Sequence, residues 1–157
     1  DSPGGNLSAV VSANLHMDIN PVAATTGDDR LLYDGSALNG LVGVDTIEFR
    51  LGENLDFSTS PVKPTNIERF DLMPAGQNHS LSHLSVQDVL DMTDSGKSLT
   101  ILGDSGDSVS LKSTVGGTWS SGGSQTVGGH DFDVYLNTQD PAVRVLIEQQ
   151  INKNIDP

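Results

Sequence analysis

The sequence predicts a mostly β fold, a single β-rich domain with one short central helix. Three observations lead there. Apolar residues recur at every second position in several short runs, as in strands with one buried face. Clusters of Gly, Asp, Asn and Ser separate those runs, which is the composition of turns. Only one segment, following Ser85, places its apolar residues at helical spacing. With 157 residues and 35% hydrophobic content the chain can fill one core, and it is short for two. The pattern fits either a β-sandwich or a β-solenoid-like stack.

In chain order, Asp1-Ser2-Pro3-Gly4-Gly5 opens a segment, residues 1–8, that reads as linker, so the expectation for 1–157 is an excised module whose targeting signal lies elsewhere. Leu15, Met17 and Ile19 alternate with His16 and Asp18 as in a half-buried strand, which Asn20-Pro21 ends. Leu31-Leu32-Tyr33 is a second short strand. Thr46 to Leu51 is another, with Ile47, Phe49 and Leu51 on one side, and Leu55 to Ser58 follows it. Two more precede the helix, within Asn66 to Leu72 and Ser80 to Leu84. Ser85 is the expected N-cap, with Asp88 three positions on, and Val86, Val89 and Leu90 form the expected core face.

Ser98 to Leu102 and Ser108 to Leu111 alternate as two strands joined by the tight Gly103-Asp104-Ser105-Gly106-Asp107. Gln125 to Tyr135 reads as two strands about Gly128-Gly129. In the tail, Asp140-Pro141 suits a helix start, but Val143, Val145 and Ile147 alternate, which predicts a strand through Ile147 and a frayed remainder.

Eight basic against 21 acidic residues give a net charge of −13, which repels nucleic acid and anionic membranes and leaves divalent cations as natural counter-charge. Of the acids 17 are Asp and 4 are Glu, and the Asp residues sit mostly beside turn formers. Short carboxylates in loops suit calcium, a hard cation that takes several oxygen ligands. The lack of Cys removes disulfides and thiolate chemistry, and no apolar run is long enough to cross a membrane.

Two turns carry the expected calcium ligands. Asp34-Gly35 and then Gly40-Leu41-Val42-Gly43-Val44-Asp45 pair glycines, which let backbone carbonyls turn inward, with Asp34 and Asp45. Asp104 and Asp107 form the second group, with Asp91 or Asp94 expected nearby. The alternative at each turn is an Asp bonded to its own backbone. Gly35 and Gly43 leave backbone uncovered for a ligand, the Met73 to Asn78 turn offers Gln77 and Asn78, and Trp119 could either stack on a ligand or close the core edge. His79 and His83 lack a third metal ligand and read as surface or half-buried side chains.

Asn66-Ile67-Glu68 with Asp71-Leu72, then Asp88-Val89-Leu90-Asp91-Met92-Thr93-Asp94, then Leu99-Thr100-Ile101 leading to Gly103-Asp104 and Gly106-Asp107-Ser108-Val109, resemble a module near the C-terminal end of large calcium-dependent RTX adhesins of Gram-negative bacteria. The likeness runs from about Leu31 to Tyr135, and Gly40, Gly43 and Asp45 match a worn, single copy of the glycine-rich calcium repeat, with Leu41 in place of a glycine. The resemblance implies an extracellular, cell-surface module, exported by type I secretion and serving adhesion in biofilms. It also implies a peptide-binding domain that holds the C-terminal end of a partner chain through Ca2+.

No Gly-x-Ser-x-Gly elbow or zinc motif supports catalysis. The expectation is therefore a monomeric, calcium-dependent binding module for a peptide or protein C-terminus, with no nucleic acid and no membrane insertion. A glycan is the alternative ligand, and a calcium-rigidified structural domain the alternative role.

Overall fold

The computed structural model describes residues 23–157; the expected strand from Leu15 to Ile19 and the linker at 1–8 lie outside the described residues. Eleven strands and one α-helix are formed among them, with a single 3-10 turn at Pro74–Gly76. They are β1 (Arg30–Leu32), β2 (Thr46–Glu48), β3 (Asn54–Asp56), β4 (Arg69–Asp71), β5 (Ser80–Ser85), α1 (Val86–Met92), β6 (Ser98–Leu102), β7 (Ser108–Lys112), β8 (Trp119–Val127), β9 (His130–Asn137), β10 (Arg144–Glu148) and β11 (Asn152–Asp156). The mostly β class and the single short helix are as the sequence predicts.

The chain passes alternately between two sheets. The larger has the order β1-β2-β4-β6-β10-β9-β8 and the smaller β11-β7-β5-β3. From β1 to β10 every pair in the larger sheet is parallel, as is every pair in the smaller one. Each coil therefore runs up one sheet, turns a corner and runs along the other, which is the solenoid-like arrangement. β6 and β7, which alternation alone presents as the arms of a hairpin, lie in different sheets. Their Gly103 to Asp107 connection is a corner of the coil.

The core is the inward rank of each sheet. Leu31, Ile47, Phe70, Ile101 and Ile147 stand in register on adjacent strands and are buried. Leu55, Leu81 and Val109 face them from the smaller sheet. Phe49 and Phe57 each meet Phe70 edge-on, with ring centroids 5.9 and 6.4 Å apart, the geometry that aromatic quadrupoles favour. Leu51 does not join Ile47 and Phe49: the chain leaves the strand after Glu48, and Leu51 is 82% exposed.

Ser85 caps α1 with a reciprocal capping box, its side chain accepting from the Asp88 N–H while Asp88 accepts from the Ser85 N–H. The buried face is Val86, Val89 and Met92; Leu90 points outward. Beyond Ile147 the tail is ordered, and β11 pairs in parallel with β7 through all five of its residues. There Lys153 takes the register position of Leu55, Leu81 and Val109, and its Nζ donates to the carbonyls of Glu148, Gln149 and Ile151.

The long β8–β9 hairpin extends the larger sheet beyond β10. Its register shifts between Ser121 and Ser124, a bulge that strengthens the twist, and its tip folds over the outward face of β4 and β6.

Candidate functional site

In a parallel coil, residues that precede strands gather at one end and residues that follow them at the other. This rule decides which carboxylates meet. Asp29, Asp45 and Glu68 directly precede β1, β2 and β4 and form a ladder at the entry corner of the larger sheet. Asp45 Oδ1 accepts the Asp29 N–H at 2.9 Å, and Glu68 accepts the N–H groups of Asp45 and Asp94 at 3.0 and 3.2 Å. Asp45 and Glu68 thus satisfy backbone donors of neighbouring segments, while the Asp29 carboxylate closes its own loop on Thr25. Asp28 adds a further acid there, accepting from the Val44 N–H.

Asp45 is fully buried, and its Oδ2 has no hydrogen-bond partner among the described residues. Desolvation pushes its carboxyl above the usual Asp range, with the charges of Asp29 and Asp28 adding to the effect. Glu68 is raised likewise, first by burial and then by Asp94 and Asp45. Gly40 closes the ladder. A Cβ at that position would lie 2.5 Å from Asp45 Oδ2 and would collide with the Asn66 carbonyl, so the glycine makes room for the carboxylate.

The corner between the sheets repeats the device. Glu53, His79, Asp107 and Ile151 occupy one position in successive coils, each directly before a paired strand residue. Asp107 is fully buried; its Oδ1 accepts the His79 N–H at 2.9 Å and its Oδ2 the Asp104 N–H at 2.8 Å. Gly103 leaves the space, since a Cβ there would lie 2.7 Å from Asp107 Oδ2. His79 is likewise buried rather than at the surface, its Nδ1 sharing the Leu72 carbonyl at 2.9 Å. Each of the two buried Asp residues reaches across to another segment, and Asp107 also closes its own turn on the Asp104 N–H.

The expected calcium groups are not assembled. Asp34 follows β1 while Asp45 precedes β2, so the two stand at opposite ends of a parallel pair. Asp34 closes its own turn on the Ser36 N–H and hydroxyl, and that hydroxyl holds its carboxyl below the usual range. Asp91 bonds Gln87 along α1, and Asp94 accepts the Gly96 N–H before β6. Asp104 and Asp107 come after β6, whose five residues span roughly 16 Å at ~3.3 Å each. Among the described residues no three His, Asp or Glu side chains form a group able to hold a metal ion.

Of the expected ligand contacts, Trp119 is buried at the core edge and spends its Nε1–H on the Leu84 carbonyl at 3.2 Å, which leaves no open face for stacking. Gln77 and Asn78 are exposed, and the Asn78 side chain packs on Gly106 beside Asp104. Gly35 has open space over its Cα, whereas Gly43 is packed against Gly27.

Ser58, His83 and Asp56 meet on the smaller sheet, but Ser58 Oγ and Asp56 Oδ1 both approach His83 Nδ1, at 3.4 and 2.8 Å. A catalytic triad needs Ser and Asp on opposite ring nitrogens, so this group is a hydrogen-bonded surface cluster.

Pattern reading missed the cavity under the hairpin tip. Its volume is about 220 Å³, its floor is Arg69, Thr100, Leu102 and Leu146 from three adjacent strands, and Phe132, His130 and the Val127-Gly128 tip wall it. Phe132 and Leu146 are buried with Val134 in a small outer cluster. Arg69 Nε is buried without a partner. His130 Nδ1 is held 2.7 Å from Glu148, whose other oxygen accepts the Gly103 N–H. Nothing in the alternation of β4 announces a cavity made by a hairpin some 60 residues later, and Arg69, set between Glu68 and Phe70, reads in sequence as an ordinary charged residue of a half-buried strand. The chain matches no protein-family model, no curated protein and no solved structure.

Proposed function

We propose that the chain is a non-catalytic, extracellular recognition module of a large adhesin, stabilised by calcium and engaging the C-terminal end of a partner chain. The observation that carries this reading is the buried, unpartnered Oδ2 of Asp45 inside an acidic ladder in which burial holds the carboxyls of Asp45 and Glu68 above their usual range. The worn glycine repeat supplies that residue and forms one corner of a coil, as a repeat of the resembled family would. Among the described residues no three His, Asp or Glu side chains converge into a closed calcium cage. A cation at the entry corner would use Asp45, Glu68 and their neighbours chiefly as counter-charge, with water completing its shell.

The test is thermal unfolding in calcium, in magnesium and in chelator, for the parent and for Asp45→Asn. The expected result is a rise in midpoint with calcium that is lost in the variant. The same midpoint in all three conditions removes calcium from the reading.

A specific feature favours the glycan alternative as a second reading. On the outward face of the smaller sheet Ser80, Ser82, Ser108, Ser110, Asn152 and Asn154 line a shallow cleft of about 340 Å³, a regular array of hydroxyls and amides. Binding on a glycan array, abolished by Ser108→Val, would move the ligand to that face.

A further inference from the structure

The cavity under the hairpin tip has a charge and a shape that the adhesin reading does not use. Arg30, Arg50, Lys63, Lys97 and Lys153 each pair with a carboxylate. Among the described residues Arg69 and Arg144 make no side-chain hydrogen bond or ion pair, and of the two it is Arg69 that lines the cavity under the hairpin tip. Its Nε is also out of reach of water. With no acceptor supplied by the described residues, the guanidinium of Arg69, which lines the cavity, is free to pair through its remaining N–H groups with an acceptor that enters there.

The surroundings define that partner. Leu102, Leu146 and Phe132 give the cavity apolar walls, and Thr100 adds a hydroxyl beside Arg69. The acids of β4 and β10 are already engaged: Asp71, two residues along β4, by Arg30 and the Met73 N–H, and Glu148 by His130 and the Gly103 N–H. A planar guanidinium over apolar walls matches a carboxylate carried on an aliphatic body. The volume of about 220 Å³ equals about seven waters at roughly 30 Å³ each. That is below the ~300 Å³ at which drug-sized sites begin. A short branched acid or the last residue of a peptide suits a cavity of this size.

We propose that this cavity is a binding site for an aliphatic monocarboxylate, with Arg69 as its counter-charge. The site shares the ligand's carboxylate with the adhesin reading but needs no calcium, so chelation separates the two. The probes are N-acetyl-leucine, N-acetyl-leucinamide and 4-methylpentanoate, each titrated in chelator and followed by 1H–15N NMR, including the Arg69 Nε–H signal.

The expected result is saturable movement of the Arg69 Nε–H, Thr100 and Gly128 signals with the two acids and none with the amide. Arg69→Gln and Thr100→Val should each weaken binding, the former by roughly tenfold or more, as loss of a charged hydrogen bond predicts. Arg144→Gln, which keeps the cavity intact, should bind as the parent does. Tighter binding of N-acetyl-leucine assigns the site to chain ends, and tighter binding of 4-methylpentanoate to free acids. Equal binding of acid and amide, or titration that leaves the Arg69 Nε–H signal unmoved in a folded protein, overturns the proposal.

Discussion

Asp107 accepts the backbone N–H of His79 at 2.9 Å, tying together two coils that are 28 residues apart in the chain. The same carboxylate accepts the Asp104 N–H from within its own turn. Asp107→Ala leaves the buried His79 donor and the part-buried Asp104 donor unmatched and should cost about 2–4 kcal/mol. Asp104→Ala, whose Oδ1 serves only the exposed Gly106 N–H, should cost under about 1 kcal/mol. Urea unfolding of the two variants checks the difference. Equal losses, restored by calcium in the parent alone, would return both residues to a shared metal site.

Gly40→Ala should be among the more damaging single-methyl changes in the protein. Its Cβ meets the Asn66 carbonyl, which is backbone and cannot rotate away, as well as Asp45 Oδ2. A loss of about 2–3 kcal/mol is expected from such overpacking, against a few tenths for Gly116→Ala, which meets only Thr114 Oγ1 at 3.8 Å. Chemical denaturation midpoints of the two variants decide it.

Acidification should first stabilise the fold and then weaken it. Asp45 and Glu68 have raised folded pKa values from burial, so their contribution is present below the unfolded pKa and is lost as pH rises through the folded one. Moving down from neutral pH through that window therefore raises stability. Asp56 behaves oppositely. Ser58, and then His83, lower its pKa to about 2, so its contribution is lost as pH falls from the ordinary Asp range toward that value. Melting temperatures across the acid range in chelator should pass through a maximum below neutrality. If a cation already neutralises the entry corner, added calcium should flatten the rise.

The strands were legible because alternation reports which residues face the core, and Ile47, Phe70, Ile101 and Ile147 do so. Alternation does not report partners. That is why β6 and β7 look like a hairpin in sequence, and why the burial of His79, set by coils before and after it, is invisible there. β11 carries one apolar residue in five and is held in place by its backbone pairing with β7, so no side-chain pattern reveals it. The carboxylate turns were located correctly as turns. Their chemistry is not legible there, because an Asp in a glycine-containing turn reads the same in sequence whether its oxygens meet a cation or the amide of the neighbouring coil.

Lys153 stands where the other coils place Leu55, Leu81 or Val109, and it spends its ammonium on three carbonyls and on Asp133, 3.1 Å away. A foreign strand adding along the free side of β11 would have to lay its own apolar rank against that charge, and stripping it of water is costly. The lysine thereby works as a stop for templated growth, giving a stack of parallel strands one end on which fibres do not start. Lys153→Val should turn that end into a seed. Thioflavin fluorescence and light scattering of the variant under native conditions would show it, and a variant as clear and monomeric as the parent would assign the protection elsewhere.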